Sequence, residues 1–114
     1  MFKYNAELVR VIDGDTIVAM VDLGFSTWKK VTIRLYGLNA PESRTRDLKE
    51  KKKGLETKEY LRKLLQENND EFILQSHGVG KFGRCLGELF IDENNLNQQL
   101  INEGYATPYF GEKR

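Results

Sequence analysis

The chain has 114 residues, of which 39% are hydrophobic and 31% are charged, and its formal net charge is +1 at pH 7. This length favours one domain, residues 1–114, with one hydrophobic core. No apolar run approaches the roughly 18 residues that a membrane span needs, so we expect no membrane association. The only cysteine is Cys85, which excludes an intramolecular disulfide and a zinc site built from thiolates.

The N-terminal residues Met1 to Asn5 lack the charged and then apolar pattern of a signal peptide. A cytoplasmic location is therefore expected, and secretion stays open if a signal was removed ahead of this sequence. We also expect a monomer. From Arg44 to Lys63 there are nine lysines and arginines but only four acidic residues. Such a surplus either attracts a polyanion or is simply a solvated surface.

The first third of the chain alternates between apolar and polar residues, as β-strands do. A strand over residues 6–12 ends at the tight turn Asp13-Gly14, and a second strand follows directly. A third strand from Trp28 to Tyr36 points Arg34 away from the face that its apolar neighbours share. These three strands predict an antiparallel meander.

The remaining elements are less regular. We predict a polar loop from Gly37 to Lys53 and a helix from about Gly54 to Asn68. Two strands follow, Glu71 to Gln75 and Arg84 to Ile91, and the glycine-rich loop between them carries an exposed His77. A short final helix is capped by Asn95.

This order of elements, β-β-β-α-β-β-α, is typical of an OB-fold, a five-stranded barrel. The fold class is therefore mainly β with helices (α+β). OB-fold barrels commonly hold oligonucleotides or sugars, but the fold alone does not define a function.

Polar residues at the strand ends have the types that phosphodiester chemistry requires. Asp15 begins the second strand, where carboxylates are uncommon. Arg34 interrupts an apolar strand, so it forms either a structural ion pair or an anion site. Asn39, Glu42 and Arg84 lie at other predicted strand or loop ends. Oxygen ligands suit a hard cation, and guanidinium groups suit phosphate oxygens.

Four ordered motifs carry a resemblance to the staphylococcal nuclease (thermonuclease) family. They are VIDGDTI, IRLYGLNAPES, KFGRCLGEL and LNQQLINEGYA, and the resemblance runs from about Leu8 to Ala106. It implies a metal site in which Asp15 matches the carboxylate that ligates Ca²⁺. Asn39 falls at the second metal-binding aspartate, and Ala40 falls at the residue that offers its backbone carbonyl.

The resemblance also implies the catalytic groups. Arg34 and Arg84 match the two arginines that grip the scissile phosphate, and Glu42 matches the glutamate taken as the general base. The implied protein is a divalent-metal-dependent endonuclease that hydrolyses DNA, RNA or both with little sequence preference. Cleavage of the 5′-O–P bond would leave 3′-phosphates, and single strands would be preferred.

Asn39 is the main departure from the family pattern. Its amide keeps an oxygen donor but removes one negative charge, so we expect a weaker Ca²⁺ site or one that favours another divalent cation. The alternative function is a non-catalytic OB-like module that binds nucleic acid or protein and lost turnover through Asn39.

Overall fold

The protein is described by a computed structural model that covers residues 2–80 and 83–109. In chain order its strands and helices are β1 (Phe2–Asp13), β2 (Thr16–Asp22), β3 (Trp28–Leu35), β4 (Leu38–Asn39), α1 (Leu48–Gln66), β5 (Glu71–Val79), β6 (Cys85–Ile91), β7 (Asn94–Asn95), α2 (Leu96–Asn102) and β8 (Thr107–Pro108).

Five of these strands close into a barrel. β1 pairs antiparallel with both β2 and β5, while β2 pairs with β3 and β5 pairs with β6. A parallel ladder between β3 and β6 completes the ring. This architecture, with α1 inserted between the third and fourth barrel strands, confirms the predicted OB-fold and the α+β class.

The core fills the barrel and extends to the helices. Ile17, Ile33 and Leu74 come from barrel strands and are fully buried, and Leu61 and Leu65 of α1 join the same apolar cluster. Burial of one such side chain contributes about 1.5–3 kcal/mol. Neither α1 nor α2 combines the length and apolar character that a membrane-spanning helix requires.

Helix α1 begins six residues earlier than predicted, at Leu48 instead of Gly54. Asp47 caps it, because its Oδ1 accepts hydrogen bonds from the backbone N–H groups of Lys49 (3.0 Å) and Glu50 (3.3 Å). The lysine-rich first turns have no apolar periodicity, yet lysine and glutamate favour helix. The predicted loop to Lys53 was therefore too long.

Strand β5 also extends further than predicted, to Val79. His77 consequently lies in a strand and not in an exposed loop, and its side chain is only 13% exposed. The segment was predicted as a loop because it is rich in glycine. One of these glycines, Gly78, does have a positive φ of +106°. Two residues of the predicted loop, Lys81 and Phe82, lie outside the described residues. Strand β1 likewise begins earlier than expected, at Phe2.

Candidate active site

One open cleft of about 1340 Å³ lies at the mouth of the barrel where the β1–β2 turn meets the end of β3 and the start of α1. All six residues singled out from the sequence line it: Asp15, Arg34, Asn39, Ala40, Glu42 and Arg84. Strand register explains part of this convergence. Thr16 pairs with Arg34 across β2 and β3, and the backbone N–H of Leu35 donates to the Asp15 carbonyl at 2.8 Å.

The Asp15 carboxylate is held by two hydrogen bonds and is 16% exposed. Its Oδ1 accepts from the Thr16 hydroxyl at 3.0 Å, and its Oδ2 accepts from the backbone N–H of Ala40 at 3.0 Å. The second bond joins the β1–β2 turn to the segment after β4. Because a carboxylate offers about four lone-pair sites, Asp15 keeps acceptor capacity toward the cleft.

Arg34 is held in place by several hydrogen bonds. Its Nη1 donates to the carbonyls of Leu35 (3.0 Å) and Leu38 (2.9 Å), and its Nη2 donates to Asn39 Oδ1 at 2.5 Å. The same Nη1 lies 3.7 Å from Asp15 Oδ2. Among the described residues these bonds engage three of its five N–H donors. Two donors are therefore left for an anion in the cleft.

Glu42 is exposed, and the loop that carries it is tied down through its neighbour Ser43. Asp13 Oδ1 accepts from the Ser43 hydroxyl and from its backbone N–H at 3.4 Å, while Arg44 Nη2 lies 3.6 Å from Asp13 Oδ2. Ser43 is 3% exposed. From the sequence, Asp13 was interpreted as a turn residue, and its contact with Ser43 was missed. The sequence feature that could have indicated a role for Asp13 is the pair of aspartates on either side of Gly14.

Two glycines let α1 approach the loop closely. A Cβ on Gly54 would lie 2.5 Å from the backbone C and O of Glu42 and 2.7 Å from the carbonyl oxygen of Pro41. A Cβ on Gly14 would overlap the Thr57 side chain. The absence of side chains at both positions therefore places the start of α1 against the segment with Glu42.

Arg84 is half-buried just before β6 and lines the cleft. The parallel ladder pairs Arg34 with Leu86, so both arginines lie at the same end of the barrel.

Asn97, which sequence reasoning missed as a positioning residue, fixes this end of the barrel. Its Nδ2 donates to the carbonyls of Tyr36 (2.9 Å) and Gly87 (3.0 Å).

The oxygen donors of the cleft fit a hard divalent cation in type but supply little charge. The Asp15 carboxylate, the Asn39 amide and the Ala40 segment lie together, and Asn39 Oδ1 already accepts from Arg34. Over residues 2–80 and 83–109, no three carboxylate, histidine or cysteine side chains group as metal ligands. Calcium affinity depends on ligand charge, so this donor set suits weak binding completed by water.

The barrel mouth presents two arginines together with several oxygen donors. A family model described as staphylococcal nuclease homologue matches residues 32–114, well over half of the chain. The chain therefore belongs to the staphylococcal nuclease homologue family.

Individual relatives are distant. The chain is 28% identical to Protein ParB of Escherichia coli, over 94% of its own length and 58% of that protein. It is 25% identical to the thermonuclease of Staphylococcus hyicus, over 91% of its own length and 59% of that protein. Endonuclease YhcR of Bacillus subtilis is 28% identical over 95% of the chain, which corresponds to 9% of that protein. The chain thus spans less than two thirds of each of these relatives.

Proposed function

We propose that this chain is a divalent-metal-dependent endonuclease that hydrolyses phosphodiester bonds of DNA, RNA or both. The observation that carries the proposal is the convergence of Asp15, Arg34, Glu42 and Arg84 on one cleft, with the Arg34 guanidinium held by three hydrogen bonds. Family membership supports it, as do relatives that are named thermonuclease and endonuclease.

In the proposed reaction the two arginines bind the scissile phosphate. Arg34 is already oriented, so its remaining donors cost little ordering when they meet the phosphate oxygens. Guanidinium groups at two positions also complement the charge that builds up on the pentacoordinate phosphorus. Contacts of this kind are made to the phosphate backbone and not to the bases. We therefore expect the enzyme to have little sequence preference.

Glu42 lies at the exposed rim, where it can take a proton from an attacking water. The water oxygen bonds to phosphorus, the P–O5′ bond breaks, and the leaving oxygen takes a proton from solvent, so the products carry 3′-phosphates. Asp15, Asn39 and the Ala40 carbonyl would hold Ca²⁺ or another divalent cation. A bound cation polarises the phosphate and lowers the pKa of water near it.

The test compares cleavage of single-stranded DNA and RNA in Ca²⁺, in Mg²⁺ or Mn²⁺, and in chelator. Arg34→Ala and Arg84→Ala are each expected to lower kcat by about 10²–10³-fold. Arg62→Ala is the matched control, because this exposed arginine pairs with Glu59 on α1 and does not line the cleft. Cleavage that survives the chelator, or that runs at full rate in both cleft variants, contradicts the mechanism.

A binding-only module is the second candidate function. The observation that favours it is the charge of the proposed metal site, where Asp15 is the one carboxylate and the Asn39 oxygen contacts Arg34. A parent protein that binds nucleic acid without cleaving it, together with activity in Asn39→Asp, would establish this alternative.

A further inference from the structure

The turn between β2 and β3 carries a group of exposed apolar side chains. Every residue from 23 to 30 is exposed, and we call this segment the β2–β3 tip. The exposed fractions are 46% for Leu23, 104% for Phe25 and 44% for Trp28. Three large apolar side chains therefore lie in solvent on one short turn.

The β2–β3 tip and the cleft lie at opposite ends of the same two strands. Asp22 pairs with Trp28 next to the tip, whereas Thr16 pairs with Arg34, and both of these residues line the cleft. From residue 16 to residue 22 the strand covers about 20 Å, at about 3.3 Å per residue. A ligand that covers the tip therefore leaves the cleft open.

The backbone of the tip holds Phe25 in a conformation that bulky residues rarely adopt. Phe25 and Ser26 have φ angles of +55° and +59°, and they follow Gly24 at +85°. This left-handed region suits glycine and asparagine, whereas a Cβ with a large side chain makes it costly. The Phe25 ring is wholly exposed, so its burial does not offset that cost within the protein. Backbone strain of this kind clusters at ligand-binding sites, which points to a ligand that covers the ring.

Hydrogen bonds hold the tip in one shape. The backbone N–H of Leu23 donates to the Thr27 carbonyl at 2.8 Å, and the N–H of Thr27 donates to the Gly24 carbonyl at 2.9 Å. Asp22 Oδ1 accepts from the Gly24 N–H at 2.8 Å. Because these N–H groups are satisfied within the turn, they can enter an apolar layer without being left unpaired.

The tip is basic as well as apolar. Lys29 and Lys30 are exposed and directly follow Trp28, and residues 23–30 contain no acidic side chain. Successive strand residues point to opposite faces, so the two ammonium groups flank the tip on both sides. The adjacent acid, Asp22, is half-buried and accepts a backbone N–H. Apolar and aromatic side chains beside lysines match the boundary of a membrane with anionic headgroups.

The size of the tip favours a lipid surface over a protein partner. A stable protein–protein interface takes roughly 20–30 residues from each side, whereas the tip consists of the eight residues 23–30. A bilayer interface adapts its shape and accepts a small apolar segment, and tryptophan lies there at the level of the headgroups.

We propose that the β2–β3 tip is a docking surface for a membrane that contains anionic phospholipids. Leu23 and Phe25 enter the boundary of the acyl chains, and Trp28 lies among the headgroups. Lys29 and Lys30 contact the anionic groups of the lipids. The expectation of no membrane association came from the lack of a spanning segment, and a turn that lies in the interface needs none. This surface goes beyond the proposed cleavage and does not depend on it.

The first experiment needs no variant. Trp28 is the only tryptophan of the chain, so its fluorescence reports on the tip. The full chain is mixed with vesicles of phosphatidylcholine alone, or of equal parts of phosphatidylcholine and phosphatidylserine. With the anionic vesicles we expect the emission to shift to shorter wavelength and brominated acyl chains to quench it. Emission that stays unchanged with the anionic vesicles overturns the proposal.

The second experiment measures the contribution of the Phe25 ring by vesicle sedimentation. Phe25→Asn is expected to weaken partitioning onto the anionic vesicles about tenfold. Its Tm should be kept or raised, because asparagine tolerates the left-handed backbone. Phe2→Asn is the matched control, since Phe2 is an exposed phenylalanine at the start of β1. No loss in Phe25→Asn, or an equal loss in both variants, overturns the role of the tip.

The lysines are tested in the same way. Lys29→Gln/Lys30→Gln should weaken binding to the anionic vesicles about 30-fold. Lys51→Gln/Lys52→Gln removes the same charge from exposed positions of α1 and should change binding much less. An equal loss in both double variants overturns the proposal, because the basic helix would then be the contact. A Phe25→Asn variant that loses affinity for single-stranded DNA and not for vesicles also overturns it, with nucleic acid as the occupant.

Discussion

Asn39 connects the two chemical halves of the cleft. Its amide oxygen accepts from Arg34, which belongs to the proposed phosphate site, while the neighbouring Ala40 N–H donates to Asp15 of the proposed metal site. The Arg34–Asn39 hydrogen bond already has a charged donor, and a carboxylate at residue 39 would add a charged acceptor and turn it into an ion pair. It would also raise the number of carboxylates in the proposed metal site from one, Asp15, to two.

The variant Asn39→Asp is therefore expected to bind Ca²⁺ about tenfold more tightly and to cleave faster at limiting metal. Calorimetric titration with Ca²⁺ gives the affinity, and cleavage rates over a range of metal concentrations give the second readout. Asn94→Asp is the matched control, since Asn94 is exposed in β7 and does not line the cleft. Equal Ca²⁺ affinity in parent and Asn39→Asp would refute the assignment of this residue to the metal site.

Ser43 connects the loop that carries Glu42 to Asp13 in the β1–β2 turn. Its hydroxyl is a donor to Asp13 in a buried position, so Ser43→Ala removes that hydrogen bond and leaves the carboxylate with the weaker contacts to the residue 43 N–H and to Arg44. We expect a loss of about 1–3 kcal/mol in the free energy of unfolding and a lower kcat. Urea unfolding and cleavage kinetics measure both quantities, with the exposed Ser26→Ala as control. An unfolding free energy equal to that of the parent would show that the contact contributes little.

At the level of elements, the barrel could be predicted from sequence, but the ends of its elements could not. Alternation of apolar residues identifies β2 and β3 because one face of each strand is buried. The first turns of α1 lack this signal, although Asp47 followed by Glu50 has the spacing of a helix cap. Strand β5 continues past Ser76 because it pairs with β6, a contact that the local composition does not reveal.

The candidate site also has a part that could be predicted from the sequence and a part that could not. The positions of Asp15 and Arg34 follow from strand order and register, and the family resemblance supplies the other members. The contacts that orient them do not follow from either source. Asp13 and Ser43 are 30 residues apart, and their meeting depends on how the loop folds over the β1–β2 turn. The Arg34–Asn39 hydrogen bond likewise depends on the local path of β4.

Gly54 tests how α1 is positioned against the loop. Alanine favours helix over glycine by about 0.8–1.0 kcal/mol, but its Cβ would lie 2.5 Å from the Glu42 backbone. Overpacking costs about 1–3 kcal/mol, so we expect Gly54→Ala to destabilise the protein and to displace Glu42. Urea unfolding together with kcat reports both effects. Glu56→Ala, an exposed change in the same helix, serves as control, and a stabilised Gly54→Ala would contradict the close packing.

On the scale of the whole molecule, charge is unevenly distributed although the net charge is only +1. The basic segment from Arg44 to Lys63 covers the N-terminal approach to α1 and most of that helix. Lys49 and Lys53 from this segment line the cleft. Lys29 and Lys30, by contrast, are exposed near the start of β3, about 13–17 Å of strand away from Arg34. A polyanion would therefore be attracted to one face of the molecule.

This asymmetry predicts a specific salt dependence. Binding of single-stranded nucleic acid weakens with salt by a slope of about 0.7 in log Kd per log salt concentration for each phosphate neutralised. If Lys49 and Lys53 each neutralise one phosphate, the double variant Lys49→Gln/Lys53→Gln should lower the slope by about 1.4. The pair Lys29→Gln/Lys30→Gln removes the same charge and should leave the slope unchanged. Fluorescence anisotropy between about 50 and 200 mM salt distinguishes the two. Equal slopes in both double variants would mean that net charge, and not the basic face beside the cleft, governs the encounter.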